Sequence, residues 1–129
     1  MSFDLISHYL FEPAVVVPSA ERTTTYTGPA VDMLNSEGMA TLFLTGTATA
    51  VATVTMTESD DDVTYTSVTS PATSALIGNQ LPLSIAINAT TDTYAVNFTR
   101  SKRYVKVVIA GSGHTLVGTI HSKRKYLGS

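Results

Sequence analysis

The 129-residue chain has no cysteine. That excludes disulfides, thiolate metal sites and a cysteine nucleophile, and it suits a protein that is not stapled for secretion. Tryptophan is absent too, and only 14 % of the residues are charged, for a formal net charge of −2. Nothing in that balance points to nucleic acid or to an anionic membrane. No apolar run approaches the ~20 residues needed to span a bilayer. The opening stretch MSFDLISHYLFEP lacks a basic region, carries Asp4 and is interrupted by His8 and Glu12. It does not read as a secretory signal, so the chain is expected to fold in a cytoplasm. Glu, Lys and Gln, the polar residues that favour helices, are scarce.

What is present favours strands. Hydrophobic residues make up 43 % of the chain, and threonine is the preferred polar partner of Val, Ile, Tyr and Phe. Those types suit a pleated, half-buried surface, so the expected class is all-β, in a single domain by length. The clearest pattern runs from Val51 to Val68. Val54 and Met56 alternate with Thr53, Thr55 and Thr57, which puts apolar groups on one face and hydroxyls on the other. Glu58, Ser59, Asp60, Asp61 and Asp62 break the alternation with turn-forming side chains, and Val63 to Val68 returns. This predicts a β-hairpin with an acidic turn.

Taken in order, residues 1–27 read as an extended N-terminal arm or edge segment, ahead of a β-sandwich domain over 28–129. Leu5, Ile6, Tyr9, Leu10 and Phe11 fit one helical turn or an extended segment, and Pro13 and Pro18 bracket the edge-strand candidate Ala14 to Val17. Ala30 to Met33 is expected as a short strand. Met39 to Thr45 is expected as a central one, because both of its faces are partly apolar. Gly46 to Ala50 reads as a turn and Ser70 to Pro82 as a long connection. Further strands are expected over Leu83–Ile87, Thr93–Thr99, Arg103–Ala110 and Thr115–His121, with turns at Arg100 to Lys102 and at Gly111-Ser112-Gly113. That spacing predicts an antiparallel β-sandwich or jelly roll, with no internal repeat.

No catalytic constellation can be assembled. The acidic turn lacks the alternating carboxylates, central Gly and distant Glu of a calcium loop; a looser cation site at Asp60 and Asp62 stays open beside the simpler reading of a solvated turn. His8, His114 and His121 are too widely separated to share a metal by local spacing. No Gly-x-Ser-x-Gly elbow is present. Arg100, Lys102 and Arg103 form one basic cluster and Lys123, Arg124 and Lys125 another, each short and flanked by a single tyrosine, Tyr104 and Tyr126. Both read as solvated charge or as docking contacts to an acidic protein surface. The sequons at Asn88 and Asn97 are treated as chance.

The order of these features resembles the head decoration, or cement, proteins of tailed bacteriophages. In that family the hairpin reads Glu-Ser-Asp-Asp-Gly with an aromatic after a later threonine, and a downstream strand reads Lys-Arg-Tyr-Val-Arg-Val. Here Glu58, Ser59, Asp60, Asp61 and Tyr65 match, as do Lys102, Arg103, Tyr104 and Val105. Lys106 replaces Arg, and Asp62 stands where Gly is usual, so φ at Asp62 is where the turn geometry needs checking. The resemblance covers roughly Val31 to Ile120. It implies a structural virion protein made in the host cytoplasm, without catalysis or cofactor, that sits on the outer capsid surface and bridges subunits of the major capsid protein. It also implies a homo-oligomer, with a trimer favoured, and no nucleic-acid or membrane partner. The expected capsid or intersubunit contacts are Leu5, Tyr9, Leu10, Phe11, Val15 and Val17 in the arm, and Lys123, Arg124 and Lys125 in the tail. The alternative is a carbohydrate- or receptor-binding sandwich of a tail fibre or baseplate, which would expose aromatics such as Tyr26, Tyr65 or Tyr94.

Overall fold

Alternation of apolar and polar residues, read along each strand, builds the molecule. The structure, a computed structural model, describes residues 9–18, 20–34, 36–68 and 81–125, with 9–14, 37–39 and 123–125 described by their backbone. Ten strands form in chain order: β1 (Tyr9–Val17), β2 (Tyr26–Thr27), β3 (Val31–Asp32), β4 (Ser36–Ala48), β5 (Ala52–Ser59), β6 (Thr66–Ser67), β7 (Leu83–Ile85), β8 (Asn88–Thr99), β9 (Tyr104–Ala110) and β10 (Val117–Lys125). One sheet has the order β1-β10-β4-β8. The other has the order β2-β9-β5-β6, with β3 also on β9 and β7 also on β5. Every ladder is antiparallel. The protein is an all-β sandwich, as its composition implies.

The core lies between the inward faces. From the four-stranded sheet come Leu42, Leu44, Val96, Phe98 and Ile120; from the other come Val54, Met56, Val105, Val107 and Ile109. Each such side chain, fully buried, contributes about 1.5–3 kcal/mol over exposure. The outward positions of β5 are the threonines Thr53, Thr55 and Thr57, as the period of two requires. β4 sits centrally between β10 and β8, where its two apolar faces placed it.

The described part of the N-terminal segment forms an edge strand longer than the Ala14 to Val17 candidate: β1 pairs along its length with β10, and Val16 and Val17 are completely buried. An edge position is where a strand tolerates a proline such as Pro13, which lacks an N–H to donate. The register shifts between Val15 and Val17, which sends both Val16 and Val17 inward. β2 and β3 then dock on β9.

Three other elements shift their bounds. β4 continues to Ala48 through the expected turn, because Gly46 adopts φ 148 and its Cα lies so close to Thr115 that a Cβ would sit 2.6 Å from the Thr115 carbonyl. β8 starts earlier, at Asn88, and β10 runs on to Lys125. The connection expected over Ser70 to Pro82 lies outside the described residues up to position 80.

The β1 bulge makes one glycine indispensable. A Cβ on Gly118, opposite Val17, would meet Leu44 Cδ2 at 2.6 Å and Val17 Cγ2 at 2.9 Å. Gly118→Ala is therefore expected to destabilise the fold by about 1–3 kcal/mol through overpacking, measured as a lower urea midpoint. Ala→Gly at exposed Ala89 serves as a mild comparison.

Candidate functional site

The acidic hairpin, read from sequence as a solvated turn or a looser cation site, commits the side chains of Ser59 and Asp61 to its own backbone. Ser59 Oγ donates to Asp61 Oδ1 at 2.8 Å and accepts from the amides of Asp61 and Asp62 at 3.2 and 3.0 Å. Asp61 Oδ1 in turn accepts from the Val63 and Thr64 amides at 2.9 and 3.0 Å. Those donors hold the Asp61 carboxyl down at about 2, with the Thr64 amide the largest cause and the Val63 amide next. Asp62 adopts φ 60, the left-handed conformation that the glycine of the resembled family would supply, and accepts a hydrogen bond from the Tyr65 hydroxyl. No group of three or more metal-capable side chains occurs among the described residues.

Glu58, the first residue of the motif, does different work. It lies buried on the inward face of β5, where its carboxylate accepts from the Ser101 amide at 2.8 Å, the Ser101 hydroxyl at 2.7 Å and the Lys102 amide at 3.3 Å. Residues 100–103 are the turn by which the chain passes from β8 in one sheet to β9 in the other. The two halves of the sequence signature, Glu-Ser-Asp-Asp and Ser-Lys-Arg-Tyr, thus meet in one clamp.

The basic cluster is absorbed in the same place. Arg100 donates to the Ser36 carbonyl at 2.9 Å and the Lys102 carbonyl at 3.3 Å. Arg103 makes a two-pronged ion pair with Asp32, at 2.9 and 2.7 Å, and stacks over Tyr104. Lys102 Nζ reaches Thr66 Oγ1 at 3.4 Å. These cations brace loops.

The expected contact residues divide. Leu5 lies outside the described residues. Tyr9, Leu10 and Phe11 are brought opposite Lys125, Arg124 and Lys123 in the β1–β10 ladder, so the expected arm is the edge strand and the expected tail the strand next to it. Val15 is exposed, whereas Val17 is enclosed by the chain's own core and is not available to a partner. The tyrosines expected for a sugar platform are occupied as well. Tyr26 donates to the Val16 carbonyl at 3.1 Å beneath the Arg22 guanidinium, Tyr65 lies under Lys106, and Tyr94 packs on the core.

Three apolar or uncharged surfaces remain open to a partner. At one pole the loops after β3 and β5 present Leu34 and Val63, 57 and 79 % exposed. They leave the same end of the sheet, because Asp32 and Ser59 both pair with Tyr104. At the other pole Val51 and Ile87 are 54 and 66 % exposed, next to the paired residues Ala52 and Ile85. The eight residues of β5 separate the poles by about 25 Å. A third surface is the outer side of the four-stranded sheet, centred on exposed Phe43 with the His121 ring set edge-on at 5.0 Å. Sequence reading missed it, since Phe43 looked like one of two apolar faces of a central strand.

His114 is the remaining buried titratable group. Neither ring nitrogen has a hydrogen-bond partner among the described residues, and its backbone bridges Arg22 and Ala48. Burial, aided by the nearby Arg22 charge, holds its pKa below the ordinary value.

No family model and no curated protein matches the chain. Solved structures do. The SPBc2 prophage-derived protein YomS aligns over 88 % of this chain and 95 % of its own, with a TM-score of 0.59 and 13 % identity. The enzymatically active domain of tailspike protein 4 from Bacteriophage CBA120 aligns over 92 % of this chain and 20 % of its own, with a TM-score of 0.53 and 9 % identity. The likeness is one of fold.

Two outcomes follow from the buried groups. Glu58→Ala strands the Ser101 and Lys102 amides and should cost about 2–4 kcal/mol, while Glu58→Gln should recover part of it, as read by denaturant unfolding. For His114 the folded pKa lies below the unfolded value of 6.5, so its contribution is intact above that pH and is lost as pH falls from there through the folded pKa. The melting temperature should therefore fall on acidification below about pH 6.5, and His114→Leu should flatten that limb. The loss due to Asp61 comes separately, between 3.8 and about 2.

Proposed function

We propose that the protein is a non-catalytic structural component of a tailed-bacteriophage particle. It binds the outer capsid surface and bridges neighbouring subunits of the major capsid protein. The observation that carries this reading is the pair of apolar poles: Leu34 with Val63 at one end, Val51 with Ile87 at the other, about 25 Å apart. A bridging module needs two contact points on opposite sides of a rigid body, and exposed apolar side chains are the usual means of contact with another chain. Glu58, Asp61, Arg100 and the Asp32–Arg103 pair around the first pole are held by the fold, so they orient the apolar tips. The decoration-protein signature adds support, because its residues are the ones that shape this pole. The sandwich shared with a prophage-derived protein and a phage tailspike domain is compatible with it.

The reading is tested by adding the purified protein to shells that lack it and measuring co-sedimentation, shell melting and density by electron microscopy. Hundreds of copies spread over the shell and a raised shell melting temperature are expected; a few copies at one vertex would sink the reading. Leu34→Ser with Val63→Ser, and separately Val51→Ser with Ile87→Ser, should each weaken shell binding about tenfold or more. Both should leave the isolated protein's stability within about 0.5 kcal/mol, as expected for exposed positions. Native binding by both double variants would refute the bridging role.

A further inference from the structure

The outer side of the four-stranded sheet is unusual for the absence of formal charge. Four neighbouring strand segments, Pro13 to Val17, Val117 to His121, Thr41 to Thr45 and Thr93 to Asn97, contain no Asp, Glu, Lys or Arg. Register places Val15 beside Thr119 and Thr119 beside Phe43 in one row. The adjoining rows are His121–Thr41–Asn97 and Val117–Thr45–Thr93. A depression of about 250 Å³ opens among Phe43, Thr45, Thr93, Val117 and Thr119, floored by Leu44. That is below the usual range for a drug-sized ligand and suits a single small ring.

The polar groups around it are hydroxyl, amide and imidazole. Thr119 Oγ1 and His121 Nε2 lie 2.9 Å apart, Thr45 and Thr93 hydroxyls 3.3 Å apart, and Thr41 Oγ1 donates to Asn97 Oδ1 at 2.5 Å. The Phe43 ring is held by its perpendicular contact with His121, interplanar angle 88°. An aromatic ring with fixed orientation, flanked by hydroxyl, amide and imidazole groups able to hydrogen-bond, matches a ligand that alternates C–H faces with hydroxyls. Within these four segments there is no cation for an acidic sugar and no anion for an amine; the sheet's charges, Glu12, Glu37, Asp92 and Lys123 to Lys125, lie outside them.

We propose that this face binds a neutral oligosaccharide, with one hexose ring seated in the depression against Phe43 and its hydroxyls exchanging hydrogen bonds with Thr119, His121 and Thr45. The rest of the sugar chain runs across the strands. A dissociation constant on the order of 1 mM is expected for so shallow a site, and display of many copies on one particle would raise the avidity without further contacts. The site does not overlap the apolar poles, so it stands or falls independently of shell binding.

The test is a two-dimensional amide NMR titration of the full chain with cellohexaose, mannohexaose and maltohexaose, and with an oligogalacturonate as anionic control. At least one neutral hexaose should saturate and shift amides in Thr41 to Thr45, Thr93 to Asn97 and Val117 to His121. Phe43→Ala should weaken that binding about tenfold; Thr119→Lys, half-buried on the same row and facing away from the core, should do so as well; and the pole variants should bind as the native chain does. Four results would overturn the proposal. These are no response to any neutral hexaose at about 10 mM, shifts confined to another face, an equal response to the anionic sugar, or a doubling of mass that buries this face against a second copy.

Discussion

A buried carboxylate has to be paired, and Glu58 is paired by the turn that joins the two sheets. Removing its hydrogen-bond donors would leave a charge in the core, at a cost of several kcal/mol. The Ser101 amide, Ser101 hydroxyl and Lys102 amide are therefore held wherever β5 holds Glu58. That fixes the point where the chain leaves β8 and enters β9, and with it the register in which Ser59 faces Tyr104. Arg100 ties the same turn to the start of β4, and Arg103 ties it to the end of β3 through Asp32. Three loops are thus set by one cluster, and the apolar tips at Leu34 and Val63 inherit their positions from it.

This accounts for how a chain with so little charge uses what it has. Asp61 stiffens the hairpin, and Asp62 accepts from Tyr65 in a conformation that few side chains tolerate. Asp32 and Arg103 neutralise each other at the surface, where an isolated pair adds little stability; here its value lies in direction, since the two-pronged geometry orients two loops. The acidic turn that left a cation site open and the basic cluster that read as solvated or docking charge belong to one structural device. Specific recognition is left to uncharged surface.

The parts of the fold written locally were legible. Alternation in Val54 to Thr57 and in Tyr94 to Phe98 gave the faces of β5 and β8, and the acidic run gave the hairpin turn. β1 was legible only in part: Ala14 to Val17 read as an edge strand, but its partner β10 lies more than a hundred residues away and local pattern carries no record of a distant ladder. The same distance hid the extension of β10 through Lys123 to Lys125. Gly46 looked like the opening of a turn because glycine signals both turns and close backbone approach, and only the carbonyl of Thr115 decides between them. Of the candidate contacts, Val15 and Val17 show the limit most sharply: a one-residue bulge sends them to opposite sides of the sheet.

The Phe43 surface follows from the same limit. Its rows draw on β1, β10, β4 and β8, which are segments from both ends and the middle of the chain, so no window of sequence contains it. Its placement has a physical consequence. The apolar poles lie at the two ends of the β5 strand axis, whereas the Phe43 face looks outward from the opposite sheet. A body fastened at both poles would keep that face directed away from its attachments, and the clamp at Glu58 would keep it from tilting. The rigidity that suits a bridge is therefore the same rigidity that would present a fixed, uncharged surface to solvent, and one buried carboxylate underlies both.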